Sequence, residues 1–216
     1  MQAMTEPRCK GRIRLANEAD ILHAAEQVFA RAGYAGATMA GIALCAGIPK
    51  SNLHYYFGTK RDIYRAVLTH ILALWLAPTD SIQEDNDPRM ALSDYIDAKM
   101  RLTASHPDAS RVFANEVLHG AGEIGDILRS ELRVLVERKA AVIERWIADG
   151  RMAPVDARHL FFTIWAATQT YADFEAQVCA VLDVPALDAP GISRATEHVK
   201  TLLLRGCGLE VAAATN

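Results

Sequence analysis

Apolar residues recur at helical spacing along almost the whole chain. Ile21, Leu22, Ala25, Val28 and Phe29 share one face of a first helix that runs from about Asn17 to Ala32 and stops at Gly33. Thr38 is an N-cap for a second helix, "MAGIALCA", which ends at Gly47. The spacing predicts a short third helix over about 49–57, with Pro49, Leu53 and Phe57 facing inward. Thr59 caps a long fourth helix through Ile63, Val67, Ile71 and Trp75, which Pro78 terminates.

A polar, acidic link, "TDSIQEDNDP", follows, and Asp87-Pro88 joins a capping residue to a proline suited to the first helical turn. Beyond it the pattern predicts five helices over about 88–105, 108–119, 123–149, 156–182 and 191–207. No alternating strand pattern, Asn-Gly hairpin or internal repeat interrupts them. The expectation is an all-α protein of about nine helices.

With 51% hydrophobic residues, the 216-residue chain can bury a sizeable core. Its longest apolar runs, such as "ILALWLAP", fall far short of the ~20 residues that span a bilayer. The N-terminus, "MQAMTEPRCKGRIR", is polar and basic with no apolar segment behind it, so a soluble, cytoplasmic protein without a membrane partner is expected. Cys9, Cys45, Cys179 and Cys207 form no C-x-x-C pair and read as ordinary reduced thiols.

Charge divides the chain. Residues 1–60 hold seven Lys and Arg against four Asp and Glu, whereas the remainder makes the net charge −3. Only the N-terminal quarter is attracted to phosphate.

Two helices joined by a turn at Gly47, the second short and rich in polar and aromatic residues, match a helix-turn-helix unit that lays a recognition helix in the DNA major groove. Lys50, Ser51, His54 and Tyr55 point outward, with Asn52 and Tyr56 beside them as further DNA-contact candidates. Lys60 and the amide end of the helix at Thr38 suit phosphate. Arg8, Lys10, Arg12 and Arg14 form a basic arm for backbone or minor-groove contacts, or else a solvated tail.

The stretch "ILHAAEQVFARAGYAGATMAGIALCAGIPKSNLHYYFGTKRDIYRAVL" resembles the DNA-binding domain of TetR-family transcriptional regulators over nearly its whole length. Thr38, Ile42-Ala43, Ala46-Gly47-Ile48, Leu53, Phe57 and Lys60 carry the likeness. Pro49 and His54 depart from it, standing where that family usually has a serine cap and a backbone-contacting tyrosine. The resemblance implies a helix-turn-helix domain over residues 1–60 and an effector-binding and dimerisation domain over 61–216. It also implies palindromic double-stranded DNA as a partner, and a homodimer is expected because "HLFFTIWAATQTYADF" is too apolar around its circumference for one bundle face while the last helix adds Val199, Leu202 and Leu203.

Enzyme readings find little footing. Gly120, Gly122 and Gly125 spell G-x-G-x-x-G, which binds dinucleotides only between a strand and a helix; here it follows the helical "ASRVFANEVLH". Glu116-x-x-His119 has the spacing of di-iron bundles, but those need two copies. No catalytic constellation, metal set or cofactor motif is expected.

In the C-terminal domain, "ILALWLAP", "PDASRVFANEVLHGA", "GRMAPVDARHLFF" and "IWAATQTYADFEAQVCAV" resemble pyrimidine-utilisation regulators of the same family. The likeness implies a repressor whose effector is uracil or thymine. Gln169, on an otherwise apolar helix, must find hydrogen-bond partners, and its carboxamide complements the imide edge of those bases. Trp165, one turn away, and Trp75 are candidate walls for a flat ring, with plain core packing as the alternative for both. Arg111, Glu116, Tyr171 and Asp173 are further ligand candidates, each with surface or salt-bridge roles as the alternative.

Overall fold

The helical periodicity becomes ten α-helices and no strand among the residues that the computed structural model describes, 7–209, with side chains from residue 18 onward. The arm side chains Arg8, Lys10, Arg12 and Arg14 therefore lie outside the described residues. The helices are α1 (Pro7–Gly36), α2 (Met39–Cys45), α3 (Lys50–Tyr56), α4 (Lys60–Leu76), α5 (Pro88–Ser105) and α6 (Pro107–Leu118). After these, α7 starts at Gly125–Ile127, passes through one π turn, Leu128–Leu132, and continues as Arg133–Ala148. The last three are α8 (Ala157–Asp173), α9 (Glu175–Leu182) and α10 (Ala189–Gly206).

The caps read from the sequence form. Thr38 accepts from the amide of Gly41, and Asp87 accepts from that of Met90 ahead of Pro88. Thr59 and Asp62 make a reciprocal capping box at the start of α4. Gly47, at φ +65°, supplies the left-handed turn between α2 and α3 that a side chain would strain.

Three expectations change. The helix of α1 begins at Pro7, because the Arg, Lys, Leu and Ala that precede Asn17 are good helix formers. The expected 156–182 helix is broken at Phe174, whose backbone (φ −119°, ψ 30°) leaves the helical region and lets α9 turn away. Pro49 is exposed, since it is the extended N-cap of α3 and not one of its inward positions.

Two apolar clusters hold the bundle together. One joins Ile21, Ala25 and Phe29 of α1 to Ile42, Leu53, Ile63, Val67 and Ile71, and extends to Val112 on α6. In consequence α4 packs on both the helix-turn-helix unit and the C-terminal helices. The second gathers Leu92, Tyr95 and Ile96 of α5 with Ile143, Trp146, Phe161, Ile164 and Leu204. Trp75 ends the first cluster, and Trp165 borders the second.

The acidic link is pinned to α7. Ile82 is fully buried, and its carbonyl accepts from Lys139 Nζ at 3.0 Å. The Glu84 carbonyl accepts from Trp146 Nε1 and from Arg151. Among the described residues no helix is long and apolar enough to cross a membrane.

Candidate functional site

The α2–α3 unit presents one polar face. Leu53 and Phe57 are buried, while Lys50, Ser51, Asn52, His54 and Tyr55 are exposed and Tyr56 is half-buried. His54 Nδ1 lies 3.3 Å from the Gly58 carbonyl, and Tyr55 and Tyr56 pack edge to face. Thr38 is exposed at the opposite end of the unit.

Lys60 has a structural partner set. Its ammonium donates to the carbonyls of Tyr34 (2.6 Å), Ala37 (2.9 Å) and Ala35 (3.4 Å), and lies 4.5 Å from the centre of the Tyr34 ring. The carbonyl-rich end of α1 favours such a cation. Lys60 thereby ties α4 to the end of α1, beside the recognition helix.

A second site lies where the two apolar clusters meet. A cavity of about 220 Å³ is lined by Leu72, Trp75 and Leu76 of α4, Lys99 of α5, Phe113 and Val117 of α6, Leu128 and Leu132 of the π turn, and Trp165 and Gln169 of α8. The sequence candidates Trp75, Trp165 and Gln169 are thus brought together. Trp165 donates its indole N–H to the Tyr95 hydroxyl at 2.7 Å, whereas the indole nitrogen of Trp75 is buried without a partner. The Gln169 carboxamide makes no hydrogen bond with any other described residue.

Lys99 escaped the sequence reading. It is 1% exposed, its Nζ sits 3.8 Å from the centre of the Trp75 ring, and burial pulls its pKa down to about 7. The signal was present, because Leu92, Tyr95, Ile96, Lys99, Met100 and Thr103 form one inward stripe with a single cation in it.

The other candidates lie elsewhere. Asp173, one turn beyond Gln169, accepts from Ser110 Oγ at 2.5 Å. Burial raises its pKa, against that hydrogen bond and the charges of Arg111 and Lys99. Arg111 bridges Glu175 (2.6 Å) and Asp108 (3.2 Å). Tyr171 faces a groove shared with Leu182, Val184 and Arg194. Glu116 accepts from the Glu123 backbone amide at 2.7 Å in the crevice between α1 and α6, and His119 Nδ1 pairs with the Asn115 carbonyl. The G-x-G-x-x-G stretch is the turn from α6 into α7, with no strand before it.

Residues 21–67 match the family model for bacterial regulatory proteins of the tetR family, and residues 68–210 match the C-terminal region of YcdC-like proteins. The chain belongs to the TetR family. It is 41% identical over 186 residues to the HTH-type transcriptional regulator RutR of Escherichia coli K12, covering 86% of this chain and 88% of the relative. The HTH-type transcriptional repressor NicS of Pseudomonas putida is 31% identical over 101 residues, covering 46% and 48%.

Solved structures carry the same TetR fold. A TetR-family regulator from Marinobacter aquaeolei superposes with a TM-score of 0.67 at 16% identity, covering 88% of this chain and 96% of that one. The fatty acid degradation regulator FadR of Bacillus halodurans gives 0.64 at 20%, covering 87% and 94%. At these identities the likeness speaks for the fold alone. This TetR protein is a helix-turn-helix transcriptional regulator, and its relatives are regulators, not enzymes.

Proposed function

We propose that this regulator is a cytoplasmic homodimeric repressor of pyrimidine-utilisation genes, released from a palindromic operator by uracil or thymine. One observation carries the reading: Trp75, Trp165 and the unspent carboxamide of Gln169 line a single cavity. At about 220 Å³ it is smaller than the roughly 300–1,000 Å³ of pockets for drug-sized ligands, which favours a single small ring. Gln169 offers one donor and one acceptor to a base N–H and its neighbouring carbonyl, with the indoles as walls. The resemblance to pyrimidine-utilisation regulators supports the same choice.

Release works through α4, which carries Trp75 in its last turn and starts beside the recognition helix. A base that fits only when α4 is displaced favours dimers whose recognition helices no longer meet successive major grooves, ~34 Å apart. By linkage, base and DNA weaken each other's binding by the same factor.

A second cavity of about 220 Å³ shares Leu128, Leu132 and Trp165 with the first. A larger apolar or aromatic effector spanning both is therefore the alternative. The test selects a DNA site from a random pool and titrates it with uracil, thymine, cytosine and a fatty acid present. Release by uracil or thymine, lost in Gln169→Ala, is expected; equal DNA affinity throughout removes the pyrimidine reading, and release by the fatty acid alone favours the alternative.

A further inference from the structure

Two donors at the cavity, the Lys99 ammonium and the Trp75 indole N–H, have no hydrogen-bond acceptor among the described residues. Lys99 brings an ionisable amine into an apolar space, is 1% exposed, and forms no salt bridge or hydrogen bond with any other described residue. Its single close partner is the face of Trp75, 3.8 Å away, and the N–H of the same indole is buried without an acceptor. Asp173 acts on Lys99 through charge without contact, and is itself held by Ser110.

A buried cation without a counter-charge is costly, and a protein retains one where something else supplies the missing charge. Here the missing partner has to enter the cavity. We propose that Lys99 is a binding residue that reads negative charge on the effector's ring edge, so that the site takes acidic cyclic imides and binds them more tightly as their ring N–H becomes more acidic. The proposal rests on the pyrimidine reading and adds to it, because Gln169 reads the pattern of donors and acceptors whereas Lys99 reads charge. Burial lowers the Lys99 pKa to about 7 although the charge of Asp173 acts against the shift, and a bound negative edge raises it further.

Uracil, 5-fluorouracil and 5-nitrouracil share one ring edge and grow more acidic in that order. Thymine serves as a control for bulk at the same ring position. Calorimetric titration of the full chain should give an affinity that climbs along the series, with 5-nitrouracil at least about tenfold tighter than thymine, the effect of one charge-assisted hydrogen bond. In Lys99→Met, and in Lys99→Gln as a second variant checked for folding by circular dichroism, that ratio should collapse toward one. A flat series in the parent chain overturns the proposal, as does an undiminished slope in either variant. If none of the four bases binds the parent chain, the pyrimidine reading fails and this inference falls with it.

Discussion

The indole N–H of Trp165 donates to the hydroxyl of Tyr95, 2.7 Å away and fully buried, so this wall of the cavity is fixed from α5. Tyr95→Phe keeps the ring and deletes the acceptor, leaving a part-buried donor unpaired. The expected result is a loss of about 1 kcal/mol of stability in denaturant melts and a several-fold weaker affinity for uracil in calorimetry. Unchanged affinity would mean that the orientation of Trp165 does not matter to the ligand.

Lys99 makes stability depend on pH. Its pKa of about 7 in the folded chain lies below the ordinary 10.5. Below pH 7 both folded and unfolded chains hold the proton, and the fold bears the full cost of burying it. Between pH 7 and about 10 the unfolded chain binds more protons, so stability contributed by this group rises with pH. Lys99→Met should therefore stabilise the ligand-free protein most at pH 6, on the order of 1 to 4 kcal/mol, with the gain fading toward pH 10. Thermal melts across that range check it, and a gain independent of pH would contradict it.

Lys60 and Tyr55 should separate two kinds of DNA contact. The Lys60 ammonium sets the junction of α1 and α4 through three carbonyls and stands next to the recognition helix. Lys60→Ala should weaken binding to every DNA sequence alike, because the junction that seats the recognition helix loosens. Tyr55, exposed on α3, should instead alter which bases are preferred when replaced. Selection from random DNA with each variant measures both effects, and a changed consensus in Lys60→Ala would reverse the assignment.

Apolar side chains left outside the two clusters point to the dimer surface. Phe174, Val181 and Leu182 around α9, Phe162 on α8 and Leu202 on α10 are all exposed, while Val199, expected at the same surface, is buried within its own subunit. A pair of helices from each subunit would cover them. Val181→Glu should shift the protein toward monomer in sedimentation and weaken DNA binding, and a monomeric parent chain near 23.6 kDa at micromolar concentration would remove the dimer.

What the sequence made legible was chemistry that acts over a few residues. Thr38, Thr59 and Asp87 cap their helices because a cap needs only its own first turn. Gln169 and the two tryptophans stood out as misfits or bulky groups on apolar helices, and they meet in one cavity. The break at Phe174 carries no Gly or Pro, so no local pattern marks it. Lys99 stayed hidden because a lysine on a helix normally runs its stem over the surface. Only the buried neighbours on its stripe show that this one points inward.

The coupling between the two sites should pass through the turn that joins α6 to α7. Leu128 and Leu132, in the π turn, line the cavity, and such turns store irregular backbone that can change register. Two residues before Leu128, Asp126 holds Arg65 at 2.5 Å, and Glu123 holds Arg61 at 2.8 Å while its carbonyl accepts from Arg65. Both arginines belong to the first turns of α4, next to the recognition helix, and Glu116 fixes the Glu123 amide from α6. A ligand pressing on Leu128 should therefore displace a clamp whose other jaw is the DNA-binding end of α4. Arg65→Gln, which loosens the clamp without touching either site, should leave the affinity for uracil in the absence of DNA unchanged. It should cut the factor by which uracil weakens DNA binding from the usual range of about 5- to 150-fold to a few-fold. Titrating selected DNA with and without saturating uracil, and uracil with and without DNA, gives that factor twice, and the two values must agree. If Arg65→Gln keeps the full factor, the message travels along α4 from Trp75 alone and the clamp is only structural.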